Sequence, residues 1–557
     1  MTRPEATRAW ELYRQGDFPQ AETLARAAIG AEPGNAQFIS LLAAICQAQG
    51  RRAEAIDLYH LAIRLVPSHA EAHNNLGAAL AQSGKMDDAI RSFRQAVRIN
   101  PRFAAAHNNL GNSLRQLRQF DEATRHLRQA IELNPEYADA YFNLGLALAQ
   151  KDRFVEAEAQ FRQALRLNPA YHSARHHLGL ALLRQEKLGE ATACLEEAVR
   201  ARPQHVDALN DLGYARRKQG RYAEAMSCFD RALALQPDHP SAHHNRALLR
   251  LLLGDFQQGW PEYEWRWRCP EFSPVAFRQP LWSGDSLVGR TILLHAEQGL
   301  GDAIQFVRYA ALLKQRGGTV LLACAKRLIP LLSTCPGIDR LVADGALQPA
   351  FDVHAPLASL PHRCGTTLAN VPAPVPYLKP EPALVEHWRK RLSSTPGFKV
   401  GICWQGSPGY REDAYRSMPL ACFAPLAGVE GVRLYSLQKG FGTEQLSQSN
   451  GRFAVADLGS RLEETTGAFV ETAAVIPSLD LIITCDSALG HLAGALNRPV
   501  WIALPHVPDY RWMLEREDSP WYPSARLFRQ KRLGCWDDVF VRMAERLRSL
   551  AARAASA

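Results

Sequence analysis

At 557 residues, 47% hydrophobic and 22% charged, the chain is long enough for more than two domains and is balanced like a soluble globular protein. Its net charge of +9 is spread along the whole length without a block of like charge, which points to an anionic ligand before nucleic acid. Eleven scattered cysteines, with no CxxC pair and no Cys/His cluster at metal spacing, speak against a disulfide framework and a zinc site and for a reducing compartment.

The first residues, MTRPEATRAWELYRQGD, are amphipathic and charged rather than the apolar core of a signal peptide. A period of 34 residues then governs the first half. Prolines fall at Pro33, Pro67, Pro101, Pro135, Pro169, Pro203 and Pro237, glycines at Gly77, Gly111, Gly145, Gly179 and Gly213, and alanines at the same step from Ala21 to Ala225. Each period holds two apolar helical patterns joined by a short turn such as QSGKMDDA; small residues let the helices approach, and proline ends the second one. This resembles the tetratricopeptide repeat over residues 1–268, about eight units, the last of them degenerate (SAHHNRALLRLLLGDFQQGWPEYEWRW) and expected to close the array as a cap. Such an α-solenoid has a concave inner face lined by its first helices. Polar residues recur there: His73, Asn75, His107, Asn109, Asn143, His177, Asp211 and Asn245. An amide ladder of this pitch can hydrogen-bond an extended protein or peptide backbone, so Asn75, Asn109, Asn143 and Asn245 are the expected acceptor-binding residues. For each residue singly, solvating the face and pinning helix contacts is the simpler role.

A Trp/Pro-rich strap, residues 269–290, precedes a change of pattern. Apolar strand-like runs TILLHA, TVLLACA, RLVA and FDVHAPL define a short lobe over residues 291–378. The proline-dense NVPAPVPYLKPEPA (370–383) cannot enter a sheet interior and leads into a linker at 379–398. The alternation restarts over 399–530 with KVGICWQG, RLYSLQKG, FAVADLG, LDLIITCDS and PVWIALP, and residues 531–557 end in a helical run. Strands alternating with helices predict an α/β module of two Rossmann-like lobes, with a ligand cleft at the carboxyl ends of their strands. The most apolar stretch, LDLIITCDSALGHLAGAL, carries Asp486 and His491 and is too broken to span a bilayer, so no integral membrane contact is expected and the chain reads as cytoplasmic.

Four loops fall at those strand ends: EQGLGD (297–302), CWQGSPGYREDAYRSMPL (403–420), LQKG (437–440) and CDSALGH (485–491). The last opens a helix whose N–H groups and Ser487 hydroxyl suit an anion; Arg416 with Ser417, and Lys439, bring cations and a hydroxyl on neighbouring loops, enough to hold a diphosphate. Trp404, Gln405 and Gly406 end a strand and shape the cleft. In the first loop Gly299 and Gly301 allow close approach of a substrate, and Asp302 stands at a helix start, where it serves as an N-terminal cap or as a positioned base. Trp512, Trp521 and Tyr522 either stack on a nucleotide base or are core; His295 and His354 read as structural. No GxxxxGK[ST] and no DxD-type metal motif is present.

DSALGHLAGALNRPVW resembles the donor-site segment, Asp followed five residues later by His, of the heptosyltransferase-like family of two-Rossmann (GT-B) glycosyltransferases. The elbow ending in Asp302 is similar to that family's N-terminal loop, and RSMPL to its basic segment near the donor phosphates; EQGLGDAIQFVRY, SLQKG and EREDSPWYP, together with the repeats, resemble bacterial repeat-glycosyltransferase proteins over nearly the whole chain. The resemblance implies a metal-independent, inverting glycosyltransferase without cofactor. Asp302 would be its catalytic base, Arg416, Asp486 and His491 would lie at the nucleotide-sugar donor, and the array would recruit a protein or glycan acceptor. The competing reading is a non-catalytic interaction scaffold with a degenerate α/β module.

Overall fold

The computed structural model describes residues 3–273, 275–347, 349–372, 374–409, 412–448, 452–462 and 467–555. Pro274 of the strap, Ala373 of the proline run, Tyr410 and Arg411 of the 403–420 loop, and the chain-terminal residues named above lie outside them. The chain forms two compact units, residues 1–215 and 216–557.

The first unit is a stack of antiparallel helix pairs. First helices at Ala36–Ala48, Ala70–Gln82, Ala104–Gln116, Ala138–Ala149 and His172–Arg184 recur every 34 residues, each followed by a partner: Arg52–Leu65, Met86–Ile99, Phe120–Leu133, Phe154–Leu167 and Leu188–Ala201. The periodic small residues are where the pairs touch. Ala21, Ala55, Ala89, Ala123, Ala157 and Ala191 are fully buried. A Cβ on Gly77 would lie 2.7 Å from the Phe93 ring, and one on Gly145 would lie 2.6 Å from the Phe161 ring, so only glycine permits this approach.

The second unit begins with the end of the repeat pattern and carries two parallel sheets. Helix α1 (Pro240–Leu252) packs on α2 (Phe256–Tyr263). The first sheet contains β1 (Thr291–His295), β2 (Thr319–Cys324), β3 (Arg340–Ala343) and β4 (Val353–Pro356), in the order β3-β2-β1-β4. Between β1 and β2 lies α3 (Leu300–Phe306), and α4 (Pro382–Ser393) leads into the second sheet. That sheet contains β5 (Phe398–Cys403), β6 (Val432–Ser436), β7 (Val455–Asp457), β8 (Leu481–Cys485), β9 (Val500–Leu504) and β10 (Ala525–Arg529), in the order β10-β9-β8-β5-β6-β7. Helix α5 (Ala488–Ala495) follows β8, and α6 (Asp537–Ala555) closes the chain with Val539, Phe540, Met543 and Leu547 packed in one core with Val400, Ile402 and Leu434. Buried strands read as continuous apolar runs because helices cover both faces of a parallel sheet.

Two expectations change. The degenerate last repeat does not end in a polar cap: Phe256 and Trp260 of α2 are 2% exposed, share one core with Phe306 and Trp521, and residues 216–268 belong to the unit that holds the sheets. The 379–398 linker is in fact α4, started by Pro382 at a position where a missing N–H costs nothing and anchored by buried Trp388 and Leu392. The strap is held to the first sheet, since Trp282 is fully buried and its backbone N–H donates to the His354 carbonyl at 2.8 Å. Strand β10 had no expectation, because Arg526 and Arg529 break its apolar run at the sheet edge.

Candidate functional site

The two sheets present their carboxyl ends to one another through the elbow after β1 and the helix after β8. Gly299, not Asp302, is the N-cap of α3; Asp302 occupies the third position and its Oδ2 reaches back to accept the Gly299 N–H at 2.8 Å. Its Oδ1 accepts from Arg511 of the second lobe. Gly301 lies against α5: a Cβ there would sit 3.0 Å from His491 Cδ2 and 3.4 Å from Ala488 Cα. At this point the expected ligand cleft is closed, and what Gly301 allows to approach is α5. A buried arginine also joins the lobes. Arg308 donates to the Trp521 carbonyl at 2.7 Å, the Pro372 carbonyl at 3.0 Å and the Tyr377 hydroxyl at 2.9 Å.

Glu297, in the same elbow, was passed over in the sequence. Its carboxylate accepts the Ala358 N–H at 3.1 Å and lies 3.3 Å from the fully buried Arg266. Burial pushes its carboxyl up to about 7 against the pull of Arg266, with Asp302 adding a smaller push. Arg266 keeps a closer partner in Glu264 at 2.6 Å and donates to Ser359 at 2.7 Å, so burial decides the state of Glu297.

On the second lobe, Asp486 and Ser487 end β8 and open α5. Ser487 makes no side-chain cap; its hydroxyl meets Thr484 Oγ1 at 2.9 Å. Burial, then Asp509, pushes Asp486 up to about 6, with Arg416 opposing. His491 is 5% exposed, hydrogen-bonds the Tyr522 hydroxyl through Nδ1 at 2.9 Å and stacks on Trp512 at 5.4 Å. Burial, reinforced by Arg511, Arg308 and Arg416, holds its imidazole well below the usual range and therefore neutral. Arg416 donates to Asp413 Oδ1 at 3.0 Å, and Ser417 to Asp413 Oδ2 at 3.0 Å while accepting the Gly406 N–H at 3.0 Å. Arg416 Nη2 would lie 2.5 Å from a Cβ at residue 406, which explains the glycine. Arg416 acts electrostatically on both Asp486 and His491.

Lys439 takes another course: its ammonium donates to the Leu462 carbonyl. Its neighbour Gln438 does the bracing. Buried, it accepts the Trp404 and Gln405 N–H groups at 3.2 and 3.1 Å and donates to the Gln405 and Phe441 carbonyls at 3.1 and 2.9 Å. Trp404, fully buried, donates to the Gly442 carbonyl at 3.1 Å, and the Gln405 Oε1 accepts from Gln445 at 3.4 Å. Trp404 and Gln405 are a loop brace; Gly406 is the member of the trio that meets the charged cluster.

Trp512, Trp521 and Tyr522 are fully buried, so the core role holds and none presents a face for base stacking. His295 Nε2 lies 3.2 Å from His354 Nδ1 under Phe277, as structural histidines. Among the described residues no group of three or more His, Cys, Asp or Glu could hold a metal ion, and no helix is long and apolar enough to cross a membrane.

In the repeat array the amide ladder closes on itself. Asn109 Nδ2 donates to Asn74 Oδ1 at 3.0 Å and Asn143 Nδ2 to Asn108 Oδ1 at 2.9 Å, while Asn75 Oδ1 accepts from Asn74 at 3.1 Å. Asp211 takes His176 Nε2 at 2.7 Å, and His177 packs on Phe161. His73 and His107 reach the carbonyls of Pro67 and Pro101 at 3.0 and 3.1 Å, six residues before them. Asn245, in the second unit, is half-buried on α1. Asn75, Asn109 and Asn143 are each hydrogen-bonded to an asparagine of the array.

Residues 467–511 match the family described as glycosyltransferase family 9 (heptosyltransferase), and residues 6–248 match the C-terminal domain of cilia and flagella-associated protein 70, a tetratricopeptide model by its label. Protein FlbA of Caulobacter vibrioides is 30% identical over 333 residues, which cover 55% of this chain and 55% of FlbA, so the chain spans about half the length of that curated relative. Among solved structures, the Cut9–Hcn1 hetero-tetramer of the APC/C aligns over 43% of this chain and 48% of its own at 16% identity (TM-score 0.40). PilF of Pseudomonas aeruginosa aligns over 38% and 97% at 22% identity (TM-score 0.36), and YrrB, a repeat protein with an unusual peptide-binding site, over 34% and 98% at 24% identity (TM-score 0.31). With its 34-residue helix pairs and its family-matched segment from residue 467 through Arg511, which holds β8 and α5, the chain is a tetratricopeptide-repeat protein with a heptosyltransferase-like α/β domain.

Proposed function

We propose that the α/β domain transfers a sugar from a nucleotide-sugar to a protein or glycan hydroxyl recruited by the repeat array, with inversion, without a metal, and in the cytoplasm. The observation that carries this reading is the contact of the Asp302 elbow with α5 across Gly301 and His491, with Asp302 itself bonded to Arg511, a guanidinium that also acts on Asp486 at the start of that helix. In the proposed step Asp302 takes the proton of the acceptor hydroxyl as its oxygen bonds the anomeric carbon. The bond to the nucleoside diphosphate breaks on the opposite side, and the arginines and the first N–H groups of α5 receive the departing charge. His491, neutral, offers Nε2 to a sugar or phosphate oxygen.

The scaffold reading rests on a specific observation too: both Asp302 oxygens are engaged, by Gly299 and by Arg511. Release of nucleoside diphosphate from UDP-, GDP-, ADP- and dTDP-sugars separates the two. Turnover that falls on Asp302→Asn supports transfer, and a folded protein with no turnover on any donor supports the scaffold.

A further inference from the structure

Arg511 carries more of the site's geometry than any residue singled out in the sequence. It stands on the loop after β9, 8% exposed, and holds three groups at once: Nη2 on Asp302, Nη1 on Asp509 Oδ1 at 2.8 Å and Nε on Gln305 Oε1 at 2.7 Å. Asp302 and Gln305 belong to α3 of the first lobe, Asp509 to the second. A guanidinium can do this because its donors form a rigid planar fork, which an ammonium lacks. Around it, two buried polar atoms are left without a hydrogen-bond partner among the described residues: Gln305 Nε2 and the Tyr510 hydroxyl. Each is a donor, and a buried donor without an acceptor is costly, so such groups call for an oxygen from water or a ligand.

Resting on the glycosyl-transfer reading, we propose that Arg511 is the positioning residue that couples donor binding to the freeing of the base: the diphosphate arriving at α5 takes over Nη2 of Arg511, and Asp302 Oδ1 is released to face the acceptor hydroxyl. Asp509 and Gln305 keep the guanidinium in place during the exchange, so one hydrogen bond changes partner rather than three. An empty site then holds its carboxylate tied, and a nucleotide-sugar is bound before the base acts. Charged and titratable groups facing the pair include Asp302 and Glu297 from the elbow, Asp509 and Tyr510 from the loop of Arg511, Asp486 from the end of β8, His491 from α5 and Tyr263 from α2.

The test uses the full chain and the four nucleotide-sugars above, with diphosphate release as a function of donor concentration and pH. Arg511→Lys keeps the charge and loses the fork. Its donor KM is expected to rise about tenfold, and the acid limb of its rate profile to shift by about one unit relative to the native chain. Arg511→Ala is expected to lose turnover at least a hundredfold and to recover part of it with millimolar guanidinium ion, a rescue that a merely structural loss would not show. Native turnover with KM, acid limb and rescue all unmoved in folded variants overturns the role of Arg511 alone. A native chain that turns over no donor removes the transfer reading and this inference with it.

Discussion

Arg511 and Asp302 are 209 residues apart in the chain and hydrogen-bonded in the fold, one from each lobe. Because Asp302 also accepts the Gly299 N–H, one side chain braces a helix start, ties the lobes and supplies the only carboxylate that the family resemblance places at the acceptor side. Replacing it therefore tests stability and chemistry together. Asp302→Asn keeps the shape and an acceptor for Gly299. It is expected to lower diphosphate release by ~10²–10⁴-fold, the usual span for a lost general base. The protein should stay folded, because Arg511 retains Asp509. Circular dichroism and a donor-saturated rate check this; an undiminished rate removes Asp302 from the chemistry.

Gly301 is where the lobes touch. Gly301→Val places branched carbon against His491 Cδ2 and the Ala488 backbone, which cannot withdraw as a flexible side-chain tip would. Overpacking of this kind costs ~1–3 kcal/mol. A lower urea midpoint for the second unit and reduced turnover are expected together. An unchanged midpoint would mean that the elbow does not pack on α5.

Two buried carboxyls make the stability of the second unit fall with rising pH. Glu297 stands at about 7 in the fold against an ordinary 4.5, and Asp486 at about 6 against 3.8. The native state thus binds more protons than the unfolded chain between those values, and the slope of stability with pH is negative there. The contribution is fully present below the unfolded values and lost as pH rises through the folded ones. For Glu297 alone the span is on the order of 3 kcal/mol. Chemical denaturation at pH 5 and pH 8 is expected to show greater stability at pH 5, and Glu297→Gln to flatten the difference.

In the array, Asn109→Ala leaves Asn74 Oδ1 without its donor. The expected loss is ~1–2 kcal/mol, the cost of an unmet polar group in a half-buried place. If the ladder served only a bound peptide, melting would be unmoved; a lowered midpoint confirms that these amides hold neighbouring repeats together.

The repeat period and nine of the ten strands were legible in the sequence because both are local. Proline ends a helix wherever it stands, and a run such as TILLHA is apolar on both faces without reference to any neighbour. The periodic Gly and Ala positions likewise marked helix contacts correctly, since within each unit the partner helix is only a turn away.

Roles that depend on a distant partner were not legible. Lys439 and Gln438 are adjacent, and charge drew notice to the first alone: the neutral amide, with donors and an acceptor, braces two loops, while the ammonium donates to the Leu462 carbonyl. Glu297 sat in the quoted elbow, but its burial comes from Arg266 and the chain after β4, far along the sequence. Asn109 meets Asn74, 35 residues back, rather than a residue one full period away, so the ladder binds itself.

The sequence by itself determined the solenoid, the two-sheet domain and the loops that gather at the strand ends, because apolar periodicity and turn chemistry act over a few residues. Only the tertiary structure decided which charges meet, which carboxyls are buried and that Asp302 is tied to Arg511. Electrostatic state is set by the low-dielectric surroundings and opposite charges that folding brings within a few ångströms, and no local pattern records them.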